Sequence, residues 1–149
     1  MESQELLSKN NTVSLLLIED DDIDAMYIMR DFKKRKIGNP FVRAVDGIDA
    51  LEKLRSGKID RPYIILLDLQ MPRMNGIEFL EELRKDESLS DSVVFVLTTS
   101  KDEQDIVSSY ENHIAGYFVK EEPGEGFLSI IELLDGYWRL AHLPPQKAK

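Results

Sequence analysis

The groups in this sequence best able to do chemistry stand directly behind apolar runs. Ser14 to Ile18 (SLLLI) leads into Glu19-Asp20-Asp21-Asp22, and Tyr63 to Leu67 (YIILL) leads into Asp68. Val93 to Leu97 (VVFVL) leads into Thr98-Thr99-Ser100, and the short run from Tyr117 to Val119 leads into Lys120. Neighbouring carboxylates repel one another and raise at least one pKa unless a cation compensates. The donors are hard oxygens, with no histidine nearby and no cysteine in the chain. That favours Mg²⁺, with Mn²⁺ as the second choice. Mg²⁺ keeps several waters and commonly shares its site with phosphate oxygens. Such a cation, the Thr98 hydroxyl and the Lys120 ammonium would together balance a phosphoryl group carrying about −1.5 to −2 charges. The set points to phosphoryl chemistry at a carboxylate.

Those groups cooperate only if the fold brings the ends of their strands together. The apolar runs alternate with amphipathic ones. Helices are expected over Asp22 to Lys34 (Ile23, Met26, Tyr27 and Arg30 on one face), from Asp46 to Gly57 (Ile48, Leu51 and Leu54 inward) and over Ile77 to Lys85. Two more are expected from Asp102 to about Asn112 (Ile106, Val107 and Tyr110 inward) and from Phe127 to about His142. Phe41 to Val45 is a further strand, giving five β/α units. The first, third and fourth strands are apolar throughout, as strands buried on both faces of a parallel sheet are. Pro40 cannot donate to a strand ladder, which suits the second strand to an edge. The expectation is a doubly wound α/β fold with a five-stranded parallel sheet in the order 2-1-3-4-5. In that order the winding reverses between strands 1 and 3, and ligands bind beyond the carboxyl ends of the strands at that point. Glu19, Asp20, Asp68, Thr98 and Lys120 should therefore converge there.

Composition narrows the field. At 149 residues and 42% hydrophobic content, the chain suits one domain with a real core. Residues 1–12 and 144–149 are expected to be tails around a domain at 13–143, with no linker to a second domain. A net charge of -9 argues against non-specific nucleic-acid binding. No apolar run reaches the ~20 residues of a membrane helix, and the polar start does not resemble a signal peptide. A soluble cytoplasmic protein is expected.

The run IEDDD, then LLDLQMPRMNG, then VLTTS, then GYFVK, in that order and spacing, resembles the receiver domains of bacterial response regulators, over about residues 13–142. The resemblance implies a flavodoxin-like sheet and an Asp68 that takes a phosphoryl group from the phosphohistidine of a sensor histidine kinase. It matches Glu19 and Asp20 to the acidic pair that holds Mg²⁺ with Asp68, the main-chain carbonyl of Gln70 completing the protein ligands. It matches Thr98 to the hydroxyl that bonds the phosphoryl group, Lys120 to the family's lysine, and Tyr117 to the aromatic that turns inward when Thr98 moves. A self-modifying phosphoacceptor, able to dephosphorylate itself, is implied rather than an enzyme. The family usually has proline directly after the lysine, whereas here Lys120 is followed by Glu121-Glu122-Pro123. A differently shaped loop is expected there, with a less firmly aimed lysine. The stretches VLTTSKDEQDIVSSYENH and YWRLAHLP are similar to single-domain regulators paired with bacterial phytochrome kinases.

Plainer readings compete at several positions. Asp22 and Asp24 read as helix N-terminal charges, favoured by the helix dipole. An EF-hand loop from Asp20 to Asp31 fails, because Ala25 and Asp31 stand where Gly and Glu are required. An aspartate-dependent phosphatase of the haloacid dehalogenase type would need a second acid, and Asp68-Leu69-Gln70 lacks it. A receiver-like module that is never phosphorylated would have no use for the full set of five residues. His113 and His142 have no metal or catalytic spacing. On the last helix, Ile130, Ile131, Leu134, Trp138 and Ala141 form one apolar stripe, and Leu133, Tyr137 and Leu140 form a second. A helix apolar on two sides is either an overlong core helix or one with a second partner surface; a homodimer through the strand 5/last-helix face is expected, with docking on the kinase as the alternative.

Overall fold

A computed structural model describes residues 13–35, 38–120 and 127–145. Five parallel strands, β1 (Ser14–Ile18), β2 (Phe41–Ala44), β3 (Tyr63–Leu67), β4 (Val93–Thr98) and β5 (Gly116–Val119), form one sheet in the order β2-β1-β3-β4-β5. Five helices connect and cover it: α1 (Asp22–Lys34), α2 (Gly47–Arg55), α3 (Gly76–Lys85), α4 (Glu103–Glu111) and α5 (Phe127–Leu140). This is the expected doubly wound arrangement, with boundaries shifted by one or two residues. Val45 falls just outside β2, Thr98 ends β4 and Gly116 begins β5. Gly57, at φ 75°, takes the left-handed conformation just past α2, where glycine is favoured. The expected tail at 1–12, residues 146–149 of the expected tail at 144–149, and Glu121-Glu122-Pro123, where a differently shaped loop was expected, lie outside the described residues.

The central strands are buried on both faces, and two apolar cores result. On one side of the sheet, Ile28 and Phe32 of α1 and Ile131, Leu134 and Trp138 of α5 pack on Leu15, Leu17, Ile64 and Leu66. On the other, Leu51 and Leu54 of α2 and Phe79, Leu80 and Leu83 of α3 pack on Leu16, Ile18, Ile65 and Leu67. Arg84 ties the second layer to neighbouring turns, donating to the carbonyls of Asn112 (2.7 Å), Ser90 and Ser92 (both 2.8 Å) and His113 (2.9 Å).

Several helix faces differ from the periodicity reading. In α1, Ala25, Ile28 and Phe32 are buried, while Ile23 and Met26 are each 58% exposed. The choice is made by α5: Phe32 stacks on Trp138 at 6.4 Å and meets Phe41 edge-on at 5.5 Å, which turns the Ile23/Met26 stripe outward. Ile48 of α2 is partly exposed, and Ala50 takes the inward position beside Leu51. In α4, Val107 and Tyr110 face out. Ser109 is the fully buried residue there, its hydroxyl satisfied by the Asp105 carbonyl at 2.7 Å, and so small a side chain lets the helix approach closely. Tyr137 of α5 belongs to the core, edge-on to Phe95 at 5.1 Å, which leaves only Leu133 and Leu140 of the expected second stripe exposed.

Candidate functional site

The carboxyl ends of β1, β3 and β5 deliver their acids and lysine to one place beside the end of β4, as the strand order requires. The strand ends are tied by main-chain bonds: Glu19 N donates to Ala44 O (3.0 Å), Asp68 N to Ile18 O (3.0 Å) and Lys120 N to Thr98 O (2.7 Å). Glu19, Asp20 and Asp68 each present a carboxylate oxygen, all within 4.8 Å of one another. Glu19 and Asp68 are buried and Asp20 is exposed. Lys120 reaches in from β5, its Nζ 2.5 Å from Glu19 Oε1, 2.9 Å from Asp24 Oδ2 and 3.8 Å from Asp68 Oδ2. Lys120 is therefore aimed at the acids, although no proline follows it.

The electrostatics reflect the crowding. Burial, then the Asp68 carboxylate, push Glu19 up to about 8 against the pull of Lys120. Burial alone would lower Lys120, but Glu19 and Asp68 more than reverse it and hold the ammonium above its usual range. A divalent cation would relieve the remaining repulsion. The donor set fits one, since it offers three hard oxygens with an open, exposed side at Asp20.

Thr98 is fully buried, and its hydroxyl accepts the Ser100 N–H at 3.4 Å. Tyr117 is half-buried and donates its hydroxyl to the Ser100 carbonyl at 2.8 Å, so Thr98 and Tyr117 meet through one residue. Gln70 N donates to Asp68 Oδ1 (3.2 Å), and the Gln70 side chain accepts from the Thr99 hydroxyl (2.8 Å).

The remaining acids after β1 divide their work. Asp21 caps α1, accepting from Ile23 N (2.8 Å) and Asp24 N (3.1 Å). Asp22 pairs with Arg43 at 2.7 Å. Asp24 is more than a first-turn charge, because it holds Lys120. Three further supports were missed in the sequence. Arg43, from edge strand β2, clamps the Glu19 carbonyl with Nε (3.0 Å) and Nη2 (2.8 Å). Its signal was a lone arginine in an apolar strand. Arg73, at φ 64°, donates to the α2 cap Asp46 at 2.7 Å. Gly76 lets the loop after Asp68 fold back, with Gly76 N on Leu69 O at 2.9 Å.

A doubly wound sheet with this acidic cluster and lysine at its switch point defines a class of phosphoacceptor, and the chain belongs to it. The response regulator receiver domain family matches residues 15–132. Receiver domains accept phosphoryl groups and work with histidine kinases; they are not turnover enzymes. Among its relatives, the probable methanogenesis regulatory protein FilR2 of Methanothrix harundinacea is 33% identical over 141 residues, covering 93% of this chain and 91% of that protein. The response regulator Rcp1 of Synechocystis is 31% identical, covering 83% of this chain and 87% of Rcp1. The structure of Mn²⁺-bound Rcp1 superposes with a TM-score of 0.78 at 30% identity, over 89% of this chain and 99% of that one. The phosphorylated cyanobacterial phytochrome response regulator RcpA gives 0.81 at 31% identity over the same shares. Phytochrome-associated response regulators are thus among the homologues of this chain. No helix among the described residues is long and apolar enough to cross a membrane.

Proposed function

We propose that this chain is a cytoplasmic receiver-domain switch in which Asp68 takes a phosphoryl group from a sensor histidine kinase, with a bacterial phytochrome as the favoured sensor. The observation that carries the reading is the buried Asp68 carboxylate, within ion-pair distance of Lys120 and clustered with Glu19 and Asp20 at the switch point. An Asp68 oxygen attacks the phosphorus of the kinase's phosphohistidine. The P–O bond forms as the P–N bond breaks, and the electron pair leaves on the imidazole nitrogen, which takes up a proton. Glu19, Asp20, Asp68 and the Gln70 carbonyl would hold Mg²⁺, which offsets charge on the transferring oxygens. Lys120 offers a fixed positive charge to those oxygens. Thr98 offers its hydroxyl, and its displacement toward the phosphoryl group would pass through Ser100 to Tyr117. Attack of water on the same acyl phosphate, breaking the P–O bond to Asp68, would reset the switch.

The surface that reads the change would be the β5/α5 face, meeting a second copy about a two-fold axis. Helices α4 and α5 leave Val107, Tyr110, Leu133 and Leu140 exposed. Light scattering on the wild type and on Leu133→Ala/Leu140→Ala tests this, and a monomeric wild type at tens of micromolar, with and without a phosphoryl mimic, would rule it out. The acceptor is tested by mass spectrometry after incubation with acetyl phosphate and Mg²⁺. One phosphoryl group should be added, lost in Asp68→Asn and in excess chelator. A phosphoryl group mapped to another residue would sink the assignment.

A further inference from the structure

We infer that Asp24, in the first turn of α1, is a positioning residue that aims Lys120 at the phosphoryl site. The inference rests on the reading of Asp68 as the acceptor. A lysine is a point charge on a flexible stem with three donors, so something must fix where the charge stands. The backbone of Lys120 is tied to β4 through its N–H on Thr98 O at 2.7 Å, but that leaves the four-carbon stem free. Its ammonium has two close anchors, Glu19 Oε1 at 2.5 Å and Asp24 Oδ2 at 2.9 Å.

The two anchors are not equivalent. Glu19 belongs to the cluster with Asp20 and Asp68 that could hold a cation, and Asp24 does not. A cation held by Glu19 would weaken its hold on Lys120 and leave Asp24 as the remaining anchor. The helix turn that carries Asp24 is itself fixed, because the Asp21 cap takes the Asp24 N–H at 3.1 Å. With Nζ held from that side, it stands 3.8 Å from Asp68 Oδ2, beyond hydrogen-bond reach. A donor is left for an oxygen of the group attached to Asp68. The Asp24 carboxylate pairs with a lysine 96 residues away in sequence, whose side chain is 7% exposed, so it is more than a solvated helix charge.

The test is a double-mutant cycle on the rate of phosphoryl uptake from acetyl phosphate at saturating Mg²⁺, using the full chain. Asp24→Ala should slow uptake about tenfold, the scale expected when a reacting group is displaced by a fraction of an ångström. Asp24→Asn, which keeps the shape and loses the charge, should slow it in the same direction. Lys120→Ala should slow uptake at least as much, and adding Asp24→Ala to it should have no further effect, because the two act through one contact. A helix-dipole role for Asp24 would instead make the effects multiply. Multiplying effects, a Lys120→Ala chain with normal uptake, or an Asp24→Ala chain at the wild-type rate would each overturn the inference. A wild-type chain that takes up no phosphoryl group at all would overturn the acceptor reading as well, so the two failures are distinguishable.

Discussion

Alanine at Gly76 and alanine at Gly136 should change stability in opposite directions, although both glycines lie in helices. A Cβ on Gly76 would stand 2.6 Å from Leu69 Cα and 2.9 Å from the Asp68 carbonyl oxygen. The obstacle is backbone, which cannot swing aside as a side-chain tip can. Restoring ordinary contact means moving α3 or the Asp68–Leu69 peptide by roughly 1 Å within a close-packed interior. Overpacking of this kind costs about 1–3 kcal/mol, and a backbone obstacle places it at the upper end. The better helix propensity of alanine returns up to about 1 kcal/mol, so the net loss is about 2 kcal/mol. A Cβ on Gly136 meets nothing within 4 Å on the exposed side of α5. Gly136→Ala should therefore gain about 0.5–1 kcal/mol. Urea unfolding of both variants beside the wild type, with unchanged m-values, measures the difference. Because Leu69 adjoins Asp68, Gly76→Ala should also slow phosphoryl uptake, and Gly136→Ala should leave it alone. A Gly76→Ala midpoint at or above that of wild type would refute the argument from close approach.

Glu19, raised to about 8, keeps a proton in the folded chain that the unfolded chain releases above about 4.5. Metal-free stability should therefore fall as pH rises between those values. Mg²⁺ needs the ionised carboxylate, so the stability in Mg²⁺ (higher by about 2.7 kcal/mol at a hundredfold excess over Kd) should exceed the metal-free stability by a widening margin toward pH 8. Urea midpoints in chelator and in Mg²⁺ at pH 5 and pH 8 check this, and a parallel pair of curves would contradict it. Arg84→Met, which leaves four carbonyls without their donor, should cost about 2–4 kcal/mol; Arg84→Lys should recover little, since an ammonium cannot span the same fork, and a lysine variant as stable as wild type would argue otherwise. The Arg73 hydrogen bond lowers the Asp46 carboxyl below its ordinary 3.8, so its contribution is present above that pH and lost as the pH falls below it. The stability gap between wild type and Arg73→Met should close in acid, and a gap unchanged at pH 3 would remove Arg73 from the account.

The architecture and the heart of the site were legible in the sequence because both depend on local order. A strand buried on both faces must be apolar along its length, and the residue after it must lie at the sheet's carboxyl edge. Three such runs and two shorter strands, separated by amphipathic spacers, left the doubly wound sheet as the natural solution, with Glu19, Asp20, Asp68, Thr98 and Lys120 at its switch point. Tertiary packing decided what periodicity leaves open. In α1 the face of Ile23 and Met26 was expected inward, and the docking of Trp138 against Phe32 turned it to the surface. Tyr137 looked like part of an exposed stripe until Phe95 offered it an edge-on partner across the chain. Asp24 read as a helix N-terminal charge, and its pairing with Lys120 spans 96 positions. Such contacts depend on where two elements meet in space, which the neighbours of a residue along the chain do not encode.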